Sequence, residues 1–518
     1  MTTETERNNA PRSYKNDIRS WRKKLIRRIR NWASRKFPAL IESSNIKQSR
    51  NYYREKDHNL IPESIPHPDE IADLKAVYAA EFYTPAHAQR LMLGFKKMGW
   101  DSEEQSAFHR NHAEWVSRSR RDGSGIWINL GGIVSPKDRK IYRDVATAEL
   151  PAGFKFAHAE LFAISSSVNC IVIRFDPTHE TEVAYGHIAR EQLATELRKT
   201  KRGFTIIRPR ARKTDLIGAF RESFRKDILN WFASNLPGAF SSNGNAELFP
   251  TCEVLFLDNV LKRANDSGQA TTLWLEYLGI NYGVGRWASI DIPGLGFTHP
   301  VSHRVDRKGH AAISVERGSL NEIDISLYGD QNDDAYLNKL SLGMSGFICQ
   351  WSVNALIDIY RDQINSARDT SWSTDSALDT VKILKRLQNI TSNSVDVSLL
   401  ASELPNALSQ PIWDSLEFSS SCVEEDAISL SAALTDRAIG TIGQLVSSDK
   451  IVRDSLLQQG NLINALEAVQ TQRNMARLTT IMMWLTVAIF LLTTIMAYPV
   501  IFPAREMSKS GQIAMEKV

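Results

Sequence analysis

The residues best suited to metal or acid–base chemistry are histidines near position 110. His109, His112 and Glu114 are spaced so that they share one side of a helix. They lack the HExxH order and an obvious third ligand, so a surface helix explains them better than a zinc site. Three more histidines occupy a Gly/Pro-rich stretch without a metal-ligand spacing: His299, His303 and His310.

Catalytic motifs of other kinds are also missing from the sequence. Gly279, Gly283 and Gly285 lie in GINYGVG, but no Lys-Ser/Thr pair follows them as a phosphate loop requires. No GxSxG motif and no kinase-like set of motifs is present. We therefore expect no catalytic residues, no metal and no cofactor, and an anchored enzyme ranks last among the functions considered.

A basic cluster around the strand-like segment FTII is the best candidate for binding a small anionic ligand such as a nucleotide. Guanidinium and ammonium groups bind anions through charge-assisted hydrogen bonds. A solvated basic face, or a contact with the membrane or another subunit, is the simpler alternative. The candidate residues are Arg198, Lys199, Lys201, Arg202, Arg208, Arg210, Arg212 and Lys213.

The charge of the whole chain is small but unevenly distributed. A formal net charge of +4 over 518 residues argues against nucleic acid as a partner. Residues 12–37 nevertheless predict a basic amphipathic helix that lies on an anionic membrane surface. Packing on its own protein, a partly disordered arm and a weaker polynucleotide-binding role are the alternatives. The membrane-surface candidates are Trp21, Lys23, Lys24, Arg27, Arg28 and Trp32.

Hydrophobic patterning divides the chain into a soluble part and a membrane part. We expect an α+β (α/β) cytoplasmic domain, then a helical layer, a long coiled-coil-like stalk helix and one C-terminal transmembrane helix. The expected boundaries are 1–69 (basic helix and linker), 70–330 (α/β domain), 331–423 (helical region), 424–477 (stalk), 478–503 (transmembrane helix) and 504–518 (tail). Strand-like segments lie at 125–134, 160–167, 168–175, 204–208, 252–258, 272–278 and 322–328, and helix-like runs at 182–199, 214–233, 334–367 and 376–391.

The membrane prediction depends on the stretch from Leu478 to Ala504, which contains no charged residue. A helix needs about 20 apolar residues to cross the hydrocarbon core. A buried core helix is the alternative, but charge-free core helices are seldom so long. Because no signal peptide precedes this segment, we expect an inner (plasma) membrane location with the N-terminus and most of the chain in the cytoplasm.

Two heptad patterns predict that this last helix has helical partners. Before the span, six of eight a/d positions from Ile442 to Leu466 are apolar, which is typical of a coiled coil. Gly440, Gly443 and Gly460 leave room for a break in the helix. Within the span, one face predicts either a helix–helix seam or a pore lining, although threonine is also simply tolerated in membrane helices. That face consists of Met475, Thr479, Met482, Thr486, Ile489, Thr493 and Met496.

The order of these segments resembles that of CorA-type divalent-cation channels. Met475-Ala-Arg-Leu-Thr-Thr-Ile481 and Phe490-Leu-Leu-Thr-Thr-Ile495 are similar to the start of that family's first membrane helix. The resemblance implies a homo-oligomer, a pentamer by analogy, whose cytoplasmic domain controls its membrane part. The sequence departs from the family at Tyr498-Pro499-Val500-Ile501, where a Gly-Met-Asn motif would stand, and it has no second span. Magnesium selectivity is therefore not implied.

Two functions follow as hypotheses. The first is a homo-oligomeric membrane protein whose cytoplasmic sensing domain controls a C-terminal pore or membrane-perturbing helix bundle. Such a protein would serve in ion transport or, by architectural analogy, in antiviral defence. The second is a scaffold or ligand-binding protein with a non-conducting single-pass anchor. In both cases the lipid bilayer is a partner.

Overall fold

A computed structural model describes most of the chain. The described residues are 14–36, 49, 51–53, 55, 71–101, 111–122, 126–140, 145–191, 193–200, 203–244, 247–258, 284–289, 291–292, 294–300, 310–372, 395–408, 416–419 and 428–501. The predicted strand 272–278, the predicted helix 376–391 and the predicted tail 504–518 lie outside these residues, as do His109 and His303.

Two compact units make up the chain. One comprises residues 1–363 and 392–446, and the other comprises residues 364–391 and 447–518. The first unit holds a large mixed sheet and most of the helices, so the prediction of a mixed α and β protein is confirmed at that level.

The sheet has ten strands in the order β12-β9-β10-β11-β8-β1-β5-β4-β2-β3. The neighbours β8–β11 and β2–β3 run parallel, and the other pairs are antiparallel. β6 and β7 form a separate hairpin. The strands are β1 Ile71–Tyr83, β2 Ile126–Val134, β3 Ala146–Thr147, β4 Phe154–Ala163, β5 Asn169–Pro177, β6 Glu196–Thr200, β7 Gly203–Ile207, β8 Thr251–Asp258, β9 Val284–Ser289, β10 Leu295–Pro300, β11 His310–Glu316 and β12 Phe418–Ser419.

Ten helices of four or more residues accompany these strands in the described part of the chain. They are α1 Tyr14–Lys36, α2 Ala88–Met98, α3 His112–Asp122, α4 His179–Arg190, α5 Pro209–Asn235, α6 Ala239–Asn243, α7 Arg317–Leu320, α8 Asp333–Trp372, α9 395–408 and α10 Leu430–Ile501.

Helices cover both faces of the sheet centre. Successive residues of a strand point to opposite faces. On one face of β5, the ring centroid of Phe175 lies 5.6 Å from that of Trp231 in α5. Its neighbour Arg174 donates to Asn338 of α8 at 2.9 Å between nitrogen and oxygen. With both faces covered, β1 and β5 are almost continuously buried and show little polar alternation.

One predicted strand is wrong. Residues 322–328 alternate like a strand but contain a short 3-10 helix, Ser326–Tyr328. The Asp324 carboxylate accepts a hydrogen bond from the Ser326 N–H at 3.0 Å, which closes a local turn. Ile325 is buried while Leu327 is 91% exposed, so the alternation reflects a turn at the surface.

The last helix, α10, is continuous over 72 residues, or about 110 Å at 1.5 Å per residue. Gly440, Gly443 and Gly460 do not interrupt it. Of the predicted stalk positions, Ile442, Leu445 and Val452 are buried. A coiled coil between copies of α10 stays a prediction.

Candidate functional site

Two helices of the described chain are long and apolar enough to cross a membrane. Asp333–Ser366, within α8, contains an 18-residue stretch with a mean hydropathy of 1.2, and 72% of that stretch is buried in the protein, as expected of a core helix. Ala468–Ala497, within α10, contains an 18-residue stretch with a mean hydropathy of 2.1, none of which is buried. Large apolar side chains such as Trp484, Phe490 and Met496 are 66%, 70% and 74% exposed. The second helix therefore presents the apolar surface that a bilayer would cover.

The threonines of this helix bond to their own backbone. Thr479, Thr486 and Thr493 each donate to the carbonyl oxygen four residues earlier, at 2.8, 2.8 and 2.5 Å between the oxygens. Each hydroxyl hydrogen is thus satisfied within the helix, while the oxygen keeps its capacity to accept. The predicted seam face, which also holds Met475, Met482, Ile489 and Met496, is continuous on one helix, and whether it meets a partner or lines a pore stays a prediction.

The predicted anion cluster is distributed over the β6–β7 hairpin and the start of α5. Arg212 donates to the Ala194 carbonyl at 2.6 Å, and Lys213 donates to the Ala189 carbonyl at the same distance. Glu196 lies 3.4 Å from the side chains of both Arg198 and Arg212. Arg212 and Lys213 therefore join the start of α5 to the segment before β6 and to the end of α4.

The other predicted members of this cluster are exposed or lie outside the described residues. Arg208, the residue before α5, is exposed. Lys201 and Arg202 lie outside the described residues, as do the side chains of Lys199 and Arg210. Anion binding by the cluster stays a prediction.

The candidate histidines that the structure describes, His112, His299 and His310, do not converge on one site. On α3, Glu114 pairs with Arg118, and the described residues contain no group of three His, Cys, Asp or Glu side chains placed to hold a metal ion. His299 accepts from the Trp287 indole N–H at 3.2 Å and stacks on Phe297.

Sequence reasoning missed a buried ionic cluster between β8, β11 and α5. Glu253 is fully buried, and its carboxylate accepts hydrogen bonds from Arg221, at 2.9 Å from Nε, and from Tyr185 at 3.1 Å. Burial opposes ionisation, but Arg221 and His310 outweigh it and lower the pKa of Glu253 to about 2. The pKa of His310 is lowered to about 4, mainly because the imidazole is buried.

A groove of about 600 Å³ lies beside β1 and α4, with Lys75, His179 and Glu182 among its lining residues. Lys75 Nζ lies 3.0 Å from the Asp333 carboxylate and 3.7 Å from that of Glu182. Burial opposes the charged form of Lys75, but the surrounding carboxylates raise its pKa overall. These ion pairs join β1 to α4 and α8, so Lys75 is paired with carboxylates of the protein itself.

Helix α9 is fastened to one end of the sheet through two carboxylates. Asp396 accepts hydrogen bonds from Thr84 at 2.6 Å and from Tyr360 of α8 at 2.8 Å. About two turns further along, Glu403 accepts from the Ser167 hydroxyl at 2.7 Å and the Ser167 N–H at 3.1 Å. The contacts place α9 against the ends of β1 and the β4–β5 turn.

A polar seam joins α8 to the first turns of α10. Gln350 Nε2 donates to the Ser431 hydroxyl at 2.7 Å, and Asn354 Nδ2 donates to the Leu434 carbonyl at 3.3 Å. One turn later, Asp358 lies 3.8 Å from Arg437. Spacing of four residues along α8 keeps these groups on one side, so the seam fixes the register between the two helices.

No known protein family, curated protein or solved structure matches the chain.

Proposed function

We propose that the chain is a homo-oligomeric inner-membrane protein, CorA-like in plan, whose cytoplasmic α+β domain senses a signal and controls a C-terminal pore or membrane-perturbing helix bundle. The observation that carries the proposal is the helix Ala468–Ala497, which contains a strongly apolar and unburied stretch after Arg477. Its exposed side chains would cost roughly 25 cal/mol for each Å² left in water, so a bilayer or partner helices must cover them.

The route of control follows from the continuity of α10. Its first turns belong to the first unit, where Gln350 and Asn354 of α8 hold Ser431 and Leu434. The same α8 packs on the sheet through Asn338 and Ser345. A ligand-induced shift of the sheet against α8 would therefore move the start of the helix that continues into the apolar segment.

Membrane insertion is tested with full-length protein carrying Leu485→Arg and Leu491→Arg. Each arginine near the bilayer centre costs about 3 kcal/mol, so the variant should be lost from carbonate-washed membranes. Leu327→Arg, at a 91% exposed position of the first unit, is the matched control and should stay membrane-bound. Retention of the double variant would refute the span.

Conduction is tested by ion flux from liposomes containing the purified full-length protein. Thr486→Phe and Thr493→Phe should alter the flux, because both positions lie on the proposed seam or pore face. Leu491→Phe, on the opposite side of the helix, is the control and should leave it unchanged. A monomeric protein in mild detergent would rule out the bundle.

A non-conducting anchor with a scaffold or ligand-binding domain is the second candidate. It is favoured by one observation, namely that the hydroxyls of Thr479, Thr486 and Thr493 are satisfied within their own helix. Such a helix needs no partner to satisfy its polar groups.

A further inference from the structure

The N-terminal helix α1 leaves a row of large apolar side chains in solvent. Trp21, Ile26, Ile29 and Trp32 are 64%, 64%, 56% and 61% exposed, and Leu25 is 40% exposed. At 100° per residue, Trp21, Leu25, Ile29 and Trp32 fall within an arc of about 80°. Within the part of the chain that the structure describes, nothing covers the apolar face of α1.

Cations occupy much of the rest of the same helix. Arg22, Lys23, Lys24, Arg27 and Arg28 are exposed, and the described helix contains a single acid, Asp17. Lys23 points away from the arc that holds Trp21 and Leu25, while Arg22 and Arg28 flank it. This arrangement combines an apolar strip with positive borders.

We propose that α1 lies in the surface of an anionic bilayer, with its tryptophans at the level of the headgroups. Indole rings partition favourably into the interface, and each Lys or Arg near an anionic surface strengthens binding about fivefold. Phosphates of a nucleic acid would match the cations but would leave the apolar arc in water. An anionic lipid surface covers the apolar arc and also matches the cations that flank it.

This contact is separate from the C-terminal span, since α1 and the helix Ala468–Ala497 are different segments with different lipid requirements. A hydrophobic span needs no particular headgroup, whereas α1 requires negative charge. A dependence of membrane binding on anionic lipid therefore tests α1 alone. The result of this test does not depend on whether the C-terminal helices conduct ions.

The test uses an environment-sensitive fluorophore on full-length protein in phosphatidylcholine liposomes with or without phosphatidylglycerol. Cys422 is replaced by serine, and one cysteine is introduced by Leu25→Cys on the apolar arc or by Lys23→Cys on the opposite side. The three native cysteines left, Cys170, Cys252 and Cys349, are buried. We expect a blue-shifted, brighter signal for the label at position 25 on anionic liposomes only.

Charge dependence provides the matched control. With the label at position 25, Lys24→Gln and Arg28→Gln together should weaken docking about 30-fold and lower the salt concentration that releases the helix. Equal signals from both labels, or the same signal without phosphatidylglycerol, would overturn the proposal. So would duplex DNA giving the full blue shift in place of anionic lipid.

Discussion

At the scale of single residues, buried histidines make the fold sensitive to acid. Burial lowers the pKa of His310 to about 4, and burial together with Arg174 lowers the pKa of His158 to about 4. In the unfolded chain a histidine binds its proton near pH 6.5. The folded state therefore binds fewer protons between these values, and stability falls as the pH drops from about 6.5 to about 4.

We expect each of these histidines to account for up to about 3 kcal/mol of that loss. His158→Gln should flatten the pH dependence of the unfolding free energy, and His158→Gln with His310→Gln should flatten it further. Urea unfolding of the full-length protein in detergent, followed by fluorescence across this pH range, measures the effect. A slope identical to the parent's would contradict neutral burial of His158.

Arg221 matters at this scale because it neutralises a carboxylate that water cannot reach. Arg221→Met leaves Glu253 buried without its main counter-charge, which should destabilise the protein by about 3–5 kcal/mol. Arg221→Met combined with Glu253→Met removes both charges and should recover part of that loss. Denaturant unfolding compares the two, and equal losses would show that Arg221 acts through packing alone.

At the scale of elements, the space around a glycine decides what a methyl group does to a helix. A Cβ at Gly440 of α10 would meet nothing within 4 Å, whereas one at Gly94 of α2 would lie 2.8 Å from Leu236 Cδ2 and 3.0 Å from the Asn235 carbonyl oxygen. The same substitution should therefore have opposite effects at the two positions.

Gly440→Ala should stabilise the protein by about 0.5–1 kcal/mol, because alanine loses less backbone entropy in a helix. Gly94→Ala should destabilise it by about 1–3 kcal/mol through overpacking between α2 and the end of α5. Thermal unfolding of the two variants, side by side, measures the difference. Destabilisation by Gly440→Ala would mean that α10 does not behave as a simple helix at that point.

At the scale of the whole molecule, the two proposed functions differ in what the last helix must do. Replacing residues 478–502 with an unrelated transmembrane helix of the same length preserves the anchor but removes the Thr/Met face from Thr479 onward. If the helix forms a specific bundle, this exchange should keep the protein in the membrane, yet abolish the fixed oligomer and the flux. Light scattering in mild detergent measures the oligomeric state, and an ion-flux assay in liposomes measures conduction. An unchanged oligomer and activity would favour the anchored scaffold.

Local patterns were enough to predict several helices and strands, although the predicted helix 182–199 ends at Arg190 and its last residues belong to β6. The amphipathic periodicity of residues 12–37 and the charge-free run after Arg477 predict α1 and the apolar part of α10, because both signals come from neighbouring residues. Continuous apolar runs such as 252–258 likewise predict β8. The central strand β1 was missed, since its segment IADLKAVYAAEFY includes Asp73, Lys75 and Glu81, whose partners are distant in sequence.

Only the tertiary structure decided which polar residues are structural. Glu253 and Arg221 are 32 positions apart, and Thr84 and Asp396 are 312 positions apart. Local sequence spacing cannot predict such pairs. The tertiary structure also separated two helices that are both long and apolar enough to cross a membrane, because burial in a core and exposure to lipid favour the same residue types. The sequence by itself determined where apolar helices form. The packing of sheet and helices determined that Asp333–Ser366 is covered by the protein and that Ala468–Ala497 is not.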